Sequence, residues 1–325
     1  MRTVMTSKEL LEKFVEERHA LGFKCKTDKG IICRFLRDYT EPDDGRIEFT
    51  KEYVLNFMES GLNRQPNTVC RDACAINCFL DFAIRQGFSA YKIPYKSLPK
   101  AARNFQAYIF SEDEILRILN AADTLPPNKS NPARHYQLPV MFRILFNCGL
   151  RESELLNLRV CDIDWKENVF TVLDTKFHKN RLVPFSDAVA VPLANYVKMV
   201  PPASEDSYLF LSQRSHGRYS LSWMQSQFRA LLRLAKIPYG GPGRGPRPHD
   251  IRHTFAVHCM NNWVLSGEDL TVALPVLSRY LGHNGLSGTQ KYLQLTAQMY
   301  PNILEKLETQ FGNLIPSMEV SHETV

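Results

Sequence analysis

Between His249 and Tyr292 the chain gathers two imidazoles, a guanidinium and a phenol on a stretch of expected helices. Pro-His-Asp-Ile-Arg-His (248–253) opens it, Leu-Gly-His (281–283) follows, and Tyr292 comes nine residues after His283. These are the parts that phosphoryl transfer needs: a nucleophile, groups that move protons, and a cation to hold a phosphate. A phenol titrates near about 10, so attack at neutral pH requires an adjacent base or strongly positive surroundings. Histidines titrate in the range that suits proton shuttling. His249 and His253 are also spaced i, i+4 on a helix, as metal ligands can be. No Glu follows His249 where a zinc hydrolase needs one, and Arg252 would sit beside the cation, so no metal is expected.

Two upstream segments occur in a compatible order. Gly-Leu-Arg-Glu-Ser-Glu-Leu (149–155) places Arg151 in a tight turn ahead of a short apolar helix, and Thr-Lys-Phe-His-Lys-Asn-Arg-Leu-Val-Pro (175–184) carries Lys176 and Lys179. The succession Arg151, Lys176, His249-x-x-Arg252, His283, Tyr292 resembles the signature of the tyrosine recombinase (phage integrase) family. The match covers roughly residues 110–310, and its last block, Leu-Gly-His-x8-Tyr, is specific.

That resemblance implies a chemistry for each position. Tyr292 would be the nucleophile, forming a covalent 3′-phosphotyrosyl link and releasing a 5′-hydroxyl. Arg151 and Arg252 would clamp the phosphate, since an arginine keeps its charge and can hold two oxygens at once. Lys176 would protonate the leaving 5′-oxygen, with Lys179 a rival, while His249 and His283 would shuttle protons. One phosphodiester is exchanged for another, so neither ATP nor a metal is formally required and no cofactor is expected. Glu154, one turn after Arg151, is assigned an orienting or capping role, and His253 and His258 are assigned to the core. The segment 264–278, with its Pro275, looks longer than the family usually has.

The implied activity is site-specific DNA strand exchange, as in an integrase or transposase of a mobile element. The implied partners are double-stranded DNA carrying recombination sites and further protomers, in a tetrameric synapse with or without partner recombinases or accessory proteins. Two other classes share these features: a type IB topoisomerase, and a DNA-binding accessory factor that performs no chemistry.

Charge patterning agrees with a polyanionic partner. The net charge is only +6, a modest bias on its own. Residues 229–253, however, hold Arg229, Arg233, Lys236, Arg244, Arg247 and Arg252 against the single acid Asp250, and 92–105 hold Lys92, Lys96, Lys100 and Arg103 against none. Lys92, Lys96, Lys100, Arg103, Lys179, Arg244 and Arg247 are therefore the candidate DNA contacts outside the catalytic set. The Gly/Pro loop 240–249 lacks the Gly-Lys-Ser/Thr of a nucleotide cradle. No apolar run is long enough for a membrane span, no signal peptide is evident, and the cysteines lack a CxxC pair. A cytoplasmic, nucleoid-associated protein with free thiols is expected, with Cys70, Cys74 and Cys78 as small core residues of one helix.

The positioning elements follow from periodicity. Helices are expected at 7–21 with Ser7 as N-cap, 28–39, from about 50, and 67–86, forming a compact bundle. Residues 89–108, with two prolines and four cations, read as a basic linker. Ser111-Glu-Asp-Glu opens a second domain with a capping box. Helices follow at 136–148, 152–158 and 221–235, strands at 168–173 and 181–185 form a hairpin, and Tyr208-Leu-Phe-Leu is a candidate third strand. A helix over 301–311 could pack on its own domain or on a neighbouring protomer. The expected architecture is mainly α with a small antiparallel sheet: a SAM-like core-binding domain (1–88), linker (89–108), α+β catalytic domain (109–312) and disordered tail (313–325).

Overall fold

A computed structural model of the chain describes residues 5–23, 25–42, 46–61, 63–99, 107–174, 179–213, 215–241 and 245–282, with Tyr292, Leu295 and Thr296 beyond them. It divides into two compact units, Met1–Phe105 and Gln106–Val325.

The first unit is a helical bundle: α1 (Ser7–Ala20), α2 (Lys26–Phe35), α3 (Lys51–Glu59) and α4 (Pro66–Arg85). Thr6, one residue before the expected Ser7, caps α1, because Glu9 then stands three residues on and closes a reciprocal capping box. α4 is the spine, with Ala73, Ile76, Phe79, Leu80 and Ala83 buried along one face against Phe14, Phe35 and Phe49. Cys74 and Cys78 lie on its exposed side and Cys70 is half-buried. The cysteine stripe is therefore not core: the larger apolar side chains of α4 have taken the buried face. Among the described residues, no three His, Cys, Asp or Glu side chains cluster as metal ligands would.

The chain beyond Gly87 still belongs to this unit, where the sequence suggests a linker. Strand β1 (Glu48–Phe49) pairs in parallel with β2 (Ser89–Ala90). Buried Asn77 accepts from the Ile93 amide and donates to its carbonyl, both at 2.9 Å. Asn77 thus satisfies the backbone of an otherwise irregular strap, and Ile93 fills the core beside it.

The second unit carries α5 (Glu112–Asp123), α6 (Arg134–Cys148), α7 (Glu152–Asn157), α8 (Asp187–Met199), α9 (Leu221–Leu234), α10 (Pro248–Ser266) and α11 (Leu270–Leu281). A sheet of order β3-β4-β5 lies between α7 and α8: β3 (Ile163–Asp164), β4 (Val169–Asp174) and β5 (Lys179–Pro184), all antiparallel. Its third strand is thus Ile163–Asp164, whereas Tyr208 makes only a single bridge to Arg159. The small hairpin β6 (Leu211–Ser212) and β7 (Gly217–Arg218) follows separately. Pro275 is accommodated inside α11, which Asp269 caps and Gly282 ends. Among the described residues, no helix is long and apolar enough to cross a membrane.

Candidate active site

The site forms where the C-terminal ends of α6 and α11 meet the start of α7 and the first turns of α10. α6 ends at Gly149, whose backbone is left-handed at φ +58°. A Cβ there would lie 2.4 Å from Cδ1 of Phe255 on α10. Glycine meets both demands, the left-handed turn and the close approach of α10.

That approach delivers Arg252, which is 2% exposed. Its Nη1 donates to the Gly149 carbonyl at 2.9 Å, and its Nη2 donates to the carbonyl of Leu281. The last carbonyls of a helix lack intrahelical partners and carry partial negative charge. Two helix ends therefore take up a guanidinium that burial would otherwise penalise. Burial, reinforced by the neighbouring Arg151, pulls its pKa down to about 10, with Glu154 and Tyr292 opposing. Arg252 remains cationic at neutral pH.

Arg151 is the N-cap of α7, and its Nη2 donates to the Gly282 carbonyl at 3.0 Å. Successive carbonyls at the end of α11 thus hold the two arginines side by side. Both also face Glu154: Arg151 donates to it from its backbone amide at 2.8 Å and from Nη1 at 2.5 Å, and Arg252 Nη1 stands 3.9 Å away.

Tyr292 is 2% exposed, in a cluster with Val257, Met260 and Leu281. The Arg252 and Arg151 guanidiniums lie close enough for their charge to act on its phenolic oxygen. Burial raises the phenol above its ordinary pKa, and the Arg252 and Arg151 charges reduce that rise without cancelling it. The phenol is protonated at neutral pH in the protein alone. His249, in the first turn of α10, is held below the ordinary imidazole value, first by desolvation and then by Arg252 and Arg247, with Asp250 opposing. Part of its surface meets solvent, yet the surrounding protein is dense enough to penalise a charge. The His253 ring lies 5.0 Å from that of His249 and 5.6 Å from that of Tyr292. It is half-buried beside the phenol, not in the core as its sequence position suggested, because one helical turn separates it from His249 on the same face.

The structure thus brings together four of the six signature positions: Arg151, His249, Arg252 and Tyr292. Lys176 and His283 lie outside the described residues, as do Lys100, Arg103, Arg244, the side chain of Lys179 and the helix expected at 301–311. Of the remaining candidate cations, Lys96 is exposed in a 3-10 turn at Tyr95–Ser97. Lys92 forms an ion pair with Asp81 at 2.6 Å, and Arg247 pairs with buried Asp250 at 2.9 Å.

One residue of the cluster was not anticipated. Arg181 on β5 grips Glu154 with Nη1 at 3.0 Å and Nη2 at 2.7 Å, and its Nε donates to the Tyr280 carbonyl at 2.8 Å. Strand alternation could have exposed it. Arg181 shares a face with Val183, which is fully buried, so an arginine there needs an acidic partner. The result is three guanidiniums around one carboxylate, an excess of positive charge for a phosphate to offset.

Comparison with known proteins places this arrangement. The model of the Phage integrase family matches residues 109–299. The chain belongs to the phage integrase family. An integrase/recombinase of Sinorhizobium fredii is 29% identical over 314 residues, covering 93% of this chain and 97% of that one. A tyrosine recombinase of Pseudothermotoga lettingae is 31% identical over 281 residues, covering 86% and 88%. Among solved structures, the Tn1549 transposon integrase in complex with transposon right end DNA superposes with a TM-score of 0.62 at 18% identity, over 93% of this chain and 100% of that one. At that identity the likeness to the transposon enzyme speaks for the fold. Within the integrase-family unit, the cluster of Arg151, Arg252, Glu154 and Tyr292 lies inside the matched region.

Proposed function

We propose that this chain is a tyrosine site-specific recombinase that exchanges DNA strands through a covalent link between Tyr292 and a DNA 3′-phosphate. The observation that carries the assignment is the pair Arg151 and Arg252, held by successive carbonyls at the end of α11, with the buried Tyr292 phenol within reach of both charges.

The Tyr292 oxygen attacks phosphorus as the bond to the 5′-oxygen breaks. The phenolic proton passes to a base, for which His249 is a candidate among the described residues: its depressed pKa keeps it neutral and able to accept. A proton supplied by Lys176 neutralises the departing 5′-oxygen. Charge accumulating on the phosphoryl oxygens is met by both arginines, which are already in place and need no reorganisation. The 5′-hydroxyl of a second strand then reverses these steps on the phosphotyrosine. The number of phosphodiesters is conserved, so no energy source is consumed. Four protomers on two paired sites would place four such tyrosines for two rounds of exchange, and the relatives' integrase names support a role in moving a genetic element.

The test is a duplex nicked close to the cleaved phosphate, so that the released fragment diffuses away and the adduct persists. Wild-type protein is expected to form a denaturant-resistant DNA adduct, and sequencing the attached strand reads the target and cut position together. Tyr292→Phe should bind the same duplex and form none. An adduct persisting in that variant would remove Tyr292 from the mechanism. Efficient relaxation of a supercoiled plasmid lacking target sites would instead indicate a topoisomerase.

A further inference from the structure

We infer that Arg181 is a positioning residue for the phosphate clamp, holding Glu154 and the end of α11 in the register that sets Arg151 beside Arg252. The inference rests on the proposed strand-exchange reading and deepens it.

Four hydrogen bonds reach the Glu154 carboxylate. Two come from Arg151, on its own helix turn, and two from Arg181 across the sheet. The Arg181 pair is the fork-to-carboxylate geometry that fixes direction as well as distance. Arg181 is 10% exposed and Glu154 8%, so the contact is shielded from water. Its third bond, to the Tyr280 carbonyl, ties β5 to the last turn of α11. The next two carbonyls of that turn, Leu281 and Gly282, are those that receive Arg252 and Arg151. A Cβ on Gly282 would lie 3.2 Å from Arg181 Nη1, so the turn packs closely on the guanidinium. One side chain thereby fixes both the carboxylate between the arginines and the backbone that holds them. It is also carried by the strand that follows Lys176, so the same contact joins the hairpin of the proposed general acid to the clamp.

The charges support this arrangement. Burial by itself would raise the Glu154 carboxyl. The hydrogen bonds and charge of Arg181, with the amide and charge of Arg151, outweigh it and hold the group at about 2. The charged groups facing the carboxylate are Arg151 from α7, Arg181 from β5 and Arg252 from α10. Without Arg181, Glu154 keeps only partners that the phosphate itself must recruit. The carboxylate would then compete with the substrate for Arg151.

Two variants and two measurements test the inference. Arg181→Lys retains the cation and its aliphatic stem but cannot make two parallel bonds and a third to Tyr280. Arg181→Gln removes the charge. Both are expected to bind the duplex and to stay folded at the assay temperature, with Arg181→Gln melting lower, while single-turnover adduct formation falls by about 10- to 100-fold, the usual effect of losing a supporting partner. The Arg181→Gln and Glu154→Gln losses should be non-additive, since one residue acts through the other. Wild-type rate in Arg181→Lys, or additive losses, would overturn the inference. So would losses of rate matched by equal losses of bound DNA or of folded protein at the assay temperature, because Arg181 would then be holding the domain and not the site. The second measurement needs no activity: a carbon-13 titration of the Glu154 carboxyl in Tyr292→Phe protein. Its midpoint should move upward when Arg181→Gln is added, and an unmoved midpoint would sink the inference. Absence of adduct in wild type, with the carboxyl titrating as expected, would instead count against the strand-exchange reading.

Discussion

The Arg252 guanidinium donates to the Gly149 carbonyl at 2.9 Å, so a side chain from α10 closes the end of α6. Two signature motifs more than a hundred residues apart are thereby joined through a backbone atom. A helix end must satisfy its last carbonyls somehow, and here the partner is the buried cation of the site. The contact that closes α6 thus also holds one arm of the phosphate clamp.

Gly149→Ala should therefore damage both. The left-handed backbone costs an L-residue about 1–2 kcal/mol, and the new methyl would meet Phe255 at 2.4 Å, adding an overpacking cost of about 1–3 kcal/mol. A lowered melting temperature of the full chain is expected, together with slower adduct formation at temperatures where the variant is still folded. Gly267→Ala is the control. It is also left-handed, at φ +78°, but a Cβ there meets nothing within 4 Å, so it should cost stability with little effect on rate.

Arg252→Lys tests whether charge alone suffices. An ammonium on a flexible stem cannot span the Gly149 and Leu281 carbonyls as the planar fork does. Loss of one clamp arginine in phosphoryl transfer is worth about 10³–10⁵ in rate, and Arg252→Lys should fall near the lower end. Rapid-quench adduct formation under saturating protein measures it. A loss below about tenfold would mean that Arg151 alone carries the phosphate.

The pH dependence of stability should carry the signature of Glu154. Its carboxyl, at an ordinary value of 4.5 when unfolded, sits at about 2 in the fold. A lowered pKa contributes stability that is fully present above about 4.5 and is lost as pH falls toward 2. Two and a half units correspond to roughly 3 kcal/mol. Glu154→Gln should remove this acid-sensitive contribution, so its melting temperature should fall less steeply than that of wild type between pH 4.5 and 2. At pH 7 the same variant should be destabilised by about 3–5 kcal/mol, because three guanidiniums lose their shared partner. Equal pH slopes in the two proteins would show that the carboxylate is not held by its neighbours.

The motif positions were legible because a family resemblance rests on the order of residues along the chain: Arg151, His249, Arg252 and Tyr292 follow from that resemblance, and the fold draws them together. The helices were legible from periodicity and caps, as with Ser111 and Glu114 on α5. What spacing cannot show is which backbone atoms receive the arginines, since Gly149, Leu281 and Gly282 become neighbours only through tertiary packing. Arg181 escaped for a related reason. In a short strand a charged residue reads as solvent-facing unless the alternation with Val183 is weighed. The stretch after Gly87 read as a linker because its prolines and cations hide Ile93, whose burial depends on one buried asparagine of α4.

The cations of that stretch give the last expectation. Lys96 is exposed, whereas Lys92 already faces Asp81 at 2.6 Å. A lysine that neutralises one phosphate releases condensed counterions, and its removal should shallow the slope of log affinity against log salt by about 0.9. If this strap follows DNA, Lys96→Ala should show that change, read by fluorescence anisotropy on a labelled duplex across a salt series. Lys92→Ala should show less, because the freed Asp81 replaces a near-neutral pair and the lysine's charge was never fully available. Asp81→Asn separates the two effects: by releasing Lys92 it should steepen the slope and tighten binding at low salt. Identical slopes in all four proteins would place the strap away from the phosphate backbone.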